Sequence, residues 1–292
     1  MISNDLDTLV PNFIVSRLKQ IPLIYDSHEI FTEVPELTDQ PLKKKIWKKV
    51  ESLIIPRLNY CITVNESIAK WFYENYQKEF LAVRNVPPSL SDTNNRRSRK
   101  ELNLPEGKKI VLLQGAGINI NRGAEELVEA MKFTDESIVL LIIGGGDVLG
   151  SLMEKSRNLT QCGKIIFKEK MPPTELRLYT QQSDLGVTID KPGNLNYELS
   201  LPNKIFDYLH AGIPVIASRL KEVEKIIQKY NVGTFIEHHH PEHIAKKITE
   251  ALYSSEYATW KKNTWVAGKE NNWEVEQEKW KQLLEKIEKG RI

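Results

Sequence analysis

Short β-branched runs alternate with amphipathic stretches along almost the whole chain. The runs Leu23–Asp26, Tyr60–Val64, Leu81–Arg84, Ile110–Gln114 and Ile138–Ile143 read as strands. Lys164–Phe167, Asp184–Ile189, Pro214–Ala217 and Gly233–Ile236 continue the series. Patterns of helical period separate nearly every pair, which is the signature of parallel strands joined by crossover helices. The strands are continuous apolar runs rather than alternating ones, as expected for sheets covered on both faces.

The pattern breaks once. Val86–Lys100 is polar, marked by two prolines and without period, and reads as a solvated linker between two α/β domains. The predicted boundaries are a first domain over 1–92, a linker over 93–104, a second domain over 105–268 and a final helix over 269–292. The second domain has six strand candidates. The first has only three, with a further fragment before Asn4, where a doubly wound sheet needs two such halves. At roughly 30 residues per strand–helix–strand unit, the first domain looks incomplete by about 80–90 residues.

Composition narrows the partners. The 292 residues carry 41 basic and 39 acidic side chains, a net charge of +2, which argues against bulk nucleic-acid binding. The short basic run Arg96–Lys100 does not change that. Cys61 and Cys162 sit in unrelated apolar contexts and read as buried free thiols of a reducing compartment. No apolar run has the length of a membrane span, and the first residues lack the basic and apolar regions of a signal peptide. A cytoplasmic protein is expected.

The stretch Ser200–Ser218 carries the most chemistry. Pro202 suits a first helical position. The amides of Asn203 and Lys204 then point from a helix start, a natural phosphate site. Asp207 shares the face of Lys204, three residues on, and places a carboxylate acceptor one turn deeper. Gly212 stops the helix, and Val215 opens a buried strand. A second constellation, Gln114–Gly123, follows a strand and precedes a helix. Gly115 and Gly117 allow close backbone approach to a ligand, and Arg122 offers a fork of donors to a diphosphate. Alone, that loop is an ordinary tight turn; paired with Lys204 and Asp207 it suggests a nucleotide site. Gly144–Asp147 reads as a flexible turn in which Asp147 caps the next helix.

Three further features invite chemistry. Asp5-Leu-Asp7 has the form of an Asp-x-Asp metal motif but follows no clear strand. His238–His243 contains four histidines, yet adjacent histidines cannot all converge on one ion, so a surface loop is expected. Pro41–Ile55 is a basic amphipathic helix. Its stripe of Leu42, Ile46, Trp47, Val50, Leu53 and Ile54 either packs on a sheet or lies on an anionic membrane.

These residues resemble the GT-B-fold, family-4-type retaining glycosyltransferases, and within them a bacterial surface-polysaccharide branch with a Ser-x-Pro-Asn-Lys-x-Phe-Glu/Asp-Tyr motif. The resemblance covers most of the chain. Tyr25–Glu29, Ile62–Glu66 and Arg84–Pro87 match the later part of the first domain. Gln114–Gly123, Ile142–Gly146, Ser183–Gly186 and Ser200–Ser218 match the second. It implies two Rossmann-like domains, the first lacking its opening part. It also implies a nucleotide-sugar donor as substrate, a glycan or lipid-linked acceptor, no cofactor and no metal.

By the same resemblance Asp207 holds the ribose hydroxyls, one methylene shorter than the usual Glu, and Arg122 and Lys204 face the phosphates. His28 faces the donor sugar. The family's sugar-contacting acid would fall at Leu199, so Glu198, one residue off, is the candidate substituted for it. The implied activity is sugar transfer; the alternative is a shortened, non-catalytic nucleotide-sugar-binding chain or one part of a split enzyme. The helix over 42–55 would give a peripheral contact with the inner membrane face.

Overall fold

The computed structural model describes residues 1–89 and 97–290. Its chain divides into two compact units. The first comprises Met1–Val86, Pro192–Leu201 and the terminal segment from Trp273; the second comprises Pro87–Lys191 and Pro202–Asn272.

The first unit holds a parallel sheet of four strands in sequential order: β1 (Ile2–Asn4), β2 (Ile24–Ser27), β3 (Tyr60–Thr63) and β4 (Leu81–Ala82). The fragment before Asn4 is thus a strand, at the edge of the sheet. Leu6, Leu9, Tyr25, Ile30, Ile55 and Phe72 build the core on one face. On the other, Ile24 and Ile62 are covered by Ile287 and Trp280 of the helix Trp273–Lys289. Glu276 anchors that helix. Its side chain is 0% exposed and accepts from Arg84 N–H at 2.9 Å, Arg84 Nη2 at 2.6 Å and Lys279 Nζ at 2.8 Å.

The second unit holds six parallel strands: β5 (Lys109–Gly115), β6 (Ile138–Gly144), β7 (Ile165–Glu169), β8 (Leu185–Thr188), β9 (Val215–Ser218) and β10 (Gly233–Ile236). Their order is β10-β9-β8-β5-β6-β7. Counted from β5, this is the doubly wound order 3-2-1-4-5-6. All six predicted strands are present because each is a run of β-branched and aliphatic residues long enough to be buried on both faces. The switch point, where a crevice opens beyond the strand C-termini, lies between β5 and β8.

Several expectations change. Described residues 97–104 are only partly solvated: Leu102 and Leu104 are buried, and half-buried Arg99 donates to Gln182 O, Lys108 O and the Asp184 carboxylate, while Arg97, Ser98, Lys100, Glu101 and Asn103 stay exposed. These bonds make the segment part of the second unit; residues 90–96 of the expected linker lie outside the described residues. Pro192–Leu201 leaves the second unit for the first. Asn196 Oδ1 accepts from Ile30 N–H at 3.0 Å, Asn194 Nδ2 donates to Glu33 O, and Asn65 Nδ2 donates to Leu199 O. Cys61 is buried but Cys162 is exposed, after a helix turned to solvent. The apolar stripe of Pro41–Ile54 is divided: Trp47, Val50 and Ile54 join the core, while Leu42, Ile46 and Leu53 are exposed. Among the described residues no helix is long and apolar enough to cross a membrane.

Candidate functional site

The second unit gathers its polar side chains at the β5/β8 switch point. The helix Lys204–Ala211 sets their positions. It begins at Lys204, two residues after Pro202, with Asn203 as its cap residue. Its first turns close through Ile205 N–H to Pro202 O and Phe206 N–H to Asn203 O, so the amides of Asn203 and Lys204 precede the intrahelical ladder. Ile205, Phe206, Tyr208 and Leu209 are buried beneath it. The Tyr208 hydroxyl lies 3.1 Å from both Leu112 O and Val187 O, tying the helix to β5 and β8 together. Burial pushes that phenol up, so it stays a neutral donor.

One turn along, Asp207 is oriented by a short relay. Thr180 Oγ1 donates to Gln114 Oε1 at 2.7 Å, and Gln114 Nε2 donates to Asp207 Oδ2 at 2.9 Å. The relay fixes which way the Gln114 amide points. Burial raises the Asp207 carboxyl from 3.8 to about 6, against the Gln114 hydrogen bond and the Arg177 charge, both of which favour ionisation. Gln114 sits at the C-terminal end of β5, where the apolar run gives way to a buried amide, 1% exposed. A polar residue in that place was the one signal in the sequence for its role.

The glycine loop after β5 lies beside this helix start. Gly144 approaches it so closely that a Cβ would meet Gly115 O at 1.8 Å, so the glycines after β6 are a packing surface, not a free turn. Asp147 belongs to that packing. It accepts from Ile120 N–H and its own N–H reaches Asn119 Oδ1, while the next helix has no side-chain cap. The expected capping role is corrected accordingly. Gly123 adopts a left-handed φ of +75°, and a Cβ there would stand 2.3 Å from Ile189 O. That contact draws Arg122 to the residue after Ile189. Arg122 Nη1 lies 3.5 Å from Asp190 Oδ1, and Asp190 is 1% exposed. Lys204 completes the group. Burial depresses its ammonium, the Asp190 charge opposes that, and the Arg122 charge adds to it.

The structure therefore brings together Gly115, Gly117, Arg122, Asn203, Lys204 and Asp207 within one unit, and adds Gln114, Thr180 and Asp190. Nothing in the local pattern singles out Asp190, a lone acid before Lys191-Pro192 that looks like a turn residue.

The first unit holds the other two candidates. His28 follows β2. Its Nδ1 lies 3.1 Å from Asp5 Oδ2, its Nε2 lies 3.4 Å from Asp26 Oδ2, and its N–H donates to Asp5 Oδ1. Hydrogen bonds with Asp26 and Asp5 raise its pKa from 6.5 to about 10, so the ring is an imidazolium at neutral pH. Asp5 is thereby occupied as its partner. Glu198 lies in the segment that packs on the first unit. Its Oε1 accepts from Gly193 N–H at 2.9 Å, which closes the start of its own short helix. Among the described residues no group of three acids, histidines or cysteines is placed to hold a metal ion. In the histidine run, His239 bonds Ile189 O and Ser218 Oγ, and His243 pairs with Glu237.

Two parallel sheets in separate Rossmann-like units, one with cations, a helix start and a carboxylate at its switch point, define a GT-B-type protein. The chain belongs to the glycosyl transferases group 1 family, whose model matches residues 94–265. The fold is shared with sucrose-phosphate synthase of Thermosynechococcus elongatus, at a TM-score of 0.74 and 17% identity over 99% of this chain and 73% of that one. HepE of Anabaena, solved with UDP and glucose, gives 0.76 and 14% over 98% and 78%. WaaG, a glycosyltransferase involved in lipopolysaccharide biosynthesis, gives 0.68 and 15% over 92% and 80%. No curated protein sequence matches the chain.

Proposed function

We propose that the protein moves a sugar, with retention of configuration, from a nucleotide-diphosphate sugar to a glycan or lipid-linked acceptor in surface-polysaccharide assembly. The observation that carries the reading is the grouping of Arg122, Lys204 and the Asn203–Lys204 amides beside the oriented carboxylate of Asp207. Two cations and a helix start suit a diphosphate; a carboxylate with one oxygen held by Gln114 suits a ribose diol.

Breaking a glycosyl–diphosphate bond builds negative charge on the departing phosphate. Arg122, Lys204 and the helix-start amides are fixed before that charge appears, so little reorganisation is needed when it does. Each charge-assisted bond is worth about 1.5–3 kcal/mol. With these cations supplied by the chain itself, the reading calls for no metal. His28 enters as a cation already charged at neutral pH. HepE has been solved with UDP-glucose, which favours a uridine nucleotide as the first donor to try. Exposed Leu42, Ile46 and Leu53, on the helix that carries Lys43, Lys45 and Lys49, support a peripheral contact with an anionic membrane at its inner face.

The test is release of nucleoside diphosphate from a panel of UDP- and GDP-sugars, with and without polyprenyl-linked acceptors. Turnover is expected with at least one donor and should fall by about 100-fold or more in Arg122→Ala and Lys204→Ala. Donor binding without turnover on any acceptor would favour the non-catalytic reading instead.

A further inference from the structure

β5 is aliphatic from Ile110 to Leu113 and turns polar at Gln114. That amide is 1% exposed, and both of its ends are taken. Oε1 accepts from Thr180 Oγ1 at 2.7 Å, and Nε2 donates to Asp207 Oδ2 at 2.9 Å. Thr180 is equally buried and has one hydroxyl proton for two acceptors. Leu176 O, at 3.0 Å, is the farther of them, so Gln114 Oε1 is the closer partner. Turned over, the Gln114 amide would set its oxygen against the Asp207 carboxylate, two acceptors with no proton between them.

The carboxylate is thereby divided. Oδ2 belongs to Gln114, while Oδ1 makes no hydrogen bond among the described residues, on a side chain that is half-buried rather than sealed. Asp207 stands on the helix that starts with the Asn203 and Lys204 amides, and Tyr208 ties this helix to β5 and β8. Gln114 thus fixes the rotation of the acceptor one turn beyond the anion-binding helix start.

We propose that Gln114, locked by Thr180, is the positioning residue for the ribose of the nucleotide: it holds one oxygen of Asp207 so that the other is presented to a sugar hydroxyl. The inference rests on the nucleotide-sugar reading for its ligand. Gln114 touches no part of the ligand; it acts through Asp207 alone.

An amide that merely supported the fold would make the same contacts with different consequences. If Gln114 acts through Asp207, its loss matters only while the carboxylate is present and only for ligands that carry a ribose. A supporting residue weakens every ligand, with or without Asp207. Gln114→Glu adds a second signature. This isosteric change sets two carboxyl groups against each other; one shared proton joins them, and its loss at higher pH leaves two like charges facing. Among the described residues Arg177, on the helix Pro173–Gln181, is the charge that acts on Asp207. The helix Tyr257–Glu270, packed alongside, adds none. On Asp207's own helix stand Lys204, His210, bonded to Asn271 O, and the Tyr208 phenol, kept neutral by burial. These groups are the same in every protein compared.

The experiment measures affinity for UDP, GDP, ADP and inorganic pyrophosphate at about pH 7.5 in wild type, Gln114→Leu, Asp207→Ala and the double variant. Gln114→Leu is expected to weaken the best-bound nucleotide roughly tenfold and to leave pyrophosphate within about twofold of wild type. In the Asp207→Ala background the same change should alter nucleotide affinity by less than about twofold. Equal losses for nucleotide and pyrophosphate, a loss as large without Asp207 as with it, or no loss at all would overturn the proposal. If Gln114→Leu does not fold, Gln114→Glu decides. Its nucleotide affinity relative to wild type at the same pH, a ratio from which the ligand's own titration cancels, should fall from about pH 5 to about pH 8. A ratio that stays constant overturns the proposal. If wild type binds none of the three nucleotides, the nucleotide-sugar reading falls and the proposal with it; binding with the wrong pattern overturns the proposal alone.

Discussion

Replacing Asp207 by Asn should make the protein more stable and a poorer nucleotide binder at the same time. Burial holds the folded-state carboxyl at about 6, against an ordinary value of 3.8 in the unfolded chain. A raised acid pKa means the folded state binds the proton more tightly than the unfolded state does. Stability is therefore lost as pH rises from about 4 through about 6, and the loss is complete above that. The gap corresponds to roughly 3 kcal/mol. Asn is neutral at every pH and can still accept from Gln114 Nε2 through its carbonyl, so it should recover up to about 3 kcal/mol at neutral pH and almost nothing near pH 4. Urea denaturation at both pH values measures this directly.

Binding moves the other way. An ionised carboxylate accepting from ribose hydroxyls gives charge-assisted bonds of about 1.5–3 kcal/mol, and losing one weakens UDP by roughly 10-fold to 100-fold. In wild type only about one-tenth of Asp207 is ionised one unit below its pKa, so affinity should fall about tenfold between neutral pH and pH 5. In the Asn variant that component should be absent, leaving only the change due to the terminal phosphate of UDP itself, whose second pKa is about 6. A variant no more stable than wild type at neutral pH, with unchanged affinity for UDP, would refute the placing of Asp207 as a strained acceptor.

Other consequences follow from the same structure. Glu276→Ala leaves Arg84 and Lys279 without their shared carboxylate and should cost roughly 3 kcal/mol in urea, the low end for a buried pair because both cations are partly exposed. Burial raises the Glu276 carboxyl, but hydrogen bonds from Lys279 and Arg84 outweigh it and the net shift is downward. Its contribution is thus present above about pH 4.5 and lost as pH falls through the lower folded value; a loss below about 1 kcal/mol would contradict this anchoring. Gly123→Ala places a Cβ against Ile189 O in a left-handed turn, so it should destabilise the protein by about 1–3 kcal/mol and weaken pyrophosphate binding. A neutral effect on both would show that the loop does not need the close approach. His28 should titrate near pH 10 by proton NMR, and a midpoint near 6.5 would show that Asp5 and Asp26 do not clamp it.

The second unit was the more legible part of the chain. Its strands are buried on both faces, so each appears as an unbroken aliphatic run, and the crossover helices force the parallel order. The helix start at Asn203–Lys204 was readable from local rules, with its first residue displaced by two from the position Pro202 suggested. What escaped depends on contacts far apart in sequence. Pro192–Leu201 joins the first unit through Asn196 and Ile30, 166 residues apart, which no local pattern encodes. Asp190 gains its meaning only when Gly123 lets Arg122 approach it. The end of the expected linker is polar and without period, which hides the two residues that bury, Leu102 and Leu104, and the use of Arg99 on carbonyls of the second unit.

Calorimetric titration of UDP, GDP, ADP and the free nucleoside uridine, against wild type and the Arg122→Ala/Lys204→Ala double variant, tests the nucleotide site most directly. Wild type should show saturable single-site binding of at least one diphosphate, with uridine weaker by about 100-fold or more, the equivalent of two charge-assisted bonds. The double variant should show none of that preference. Absence of binding by every diphosphate, or full affinity in the double variant, would contradict the assignment of the β5/β8 switch point as the diphosphate site.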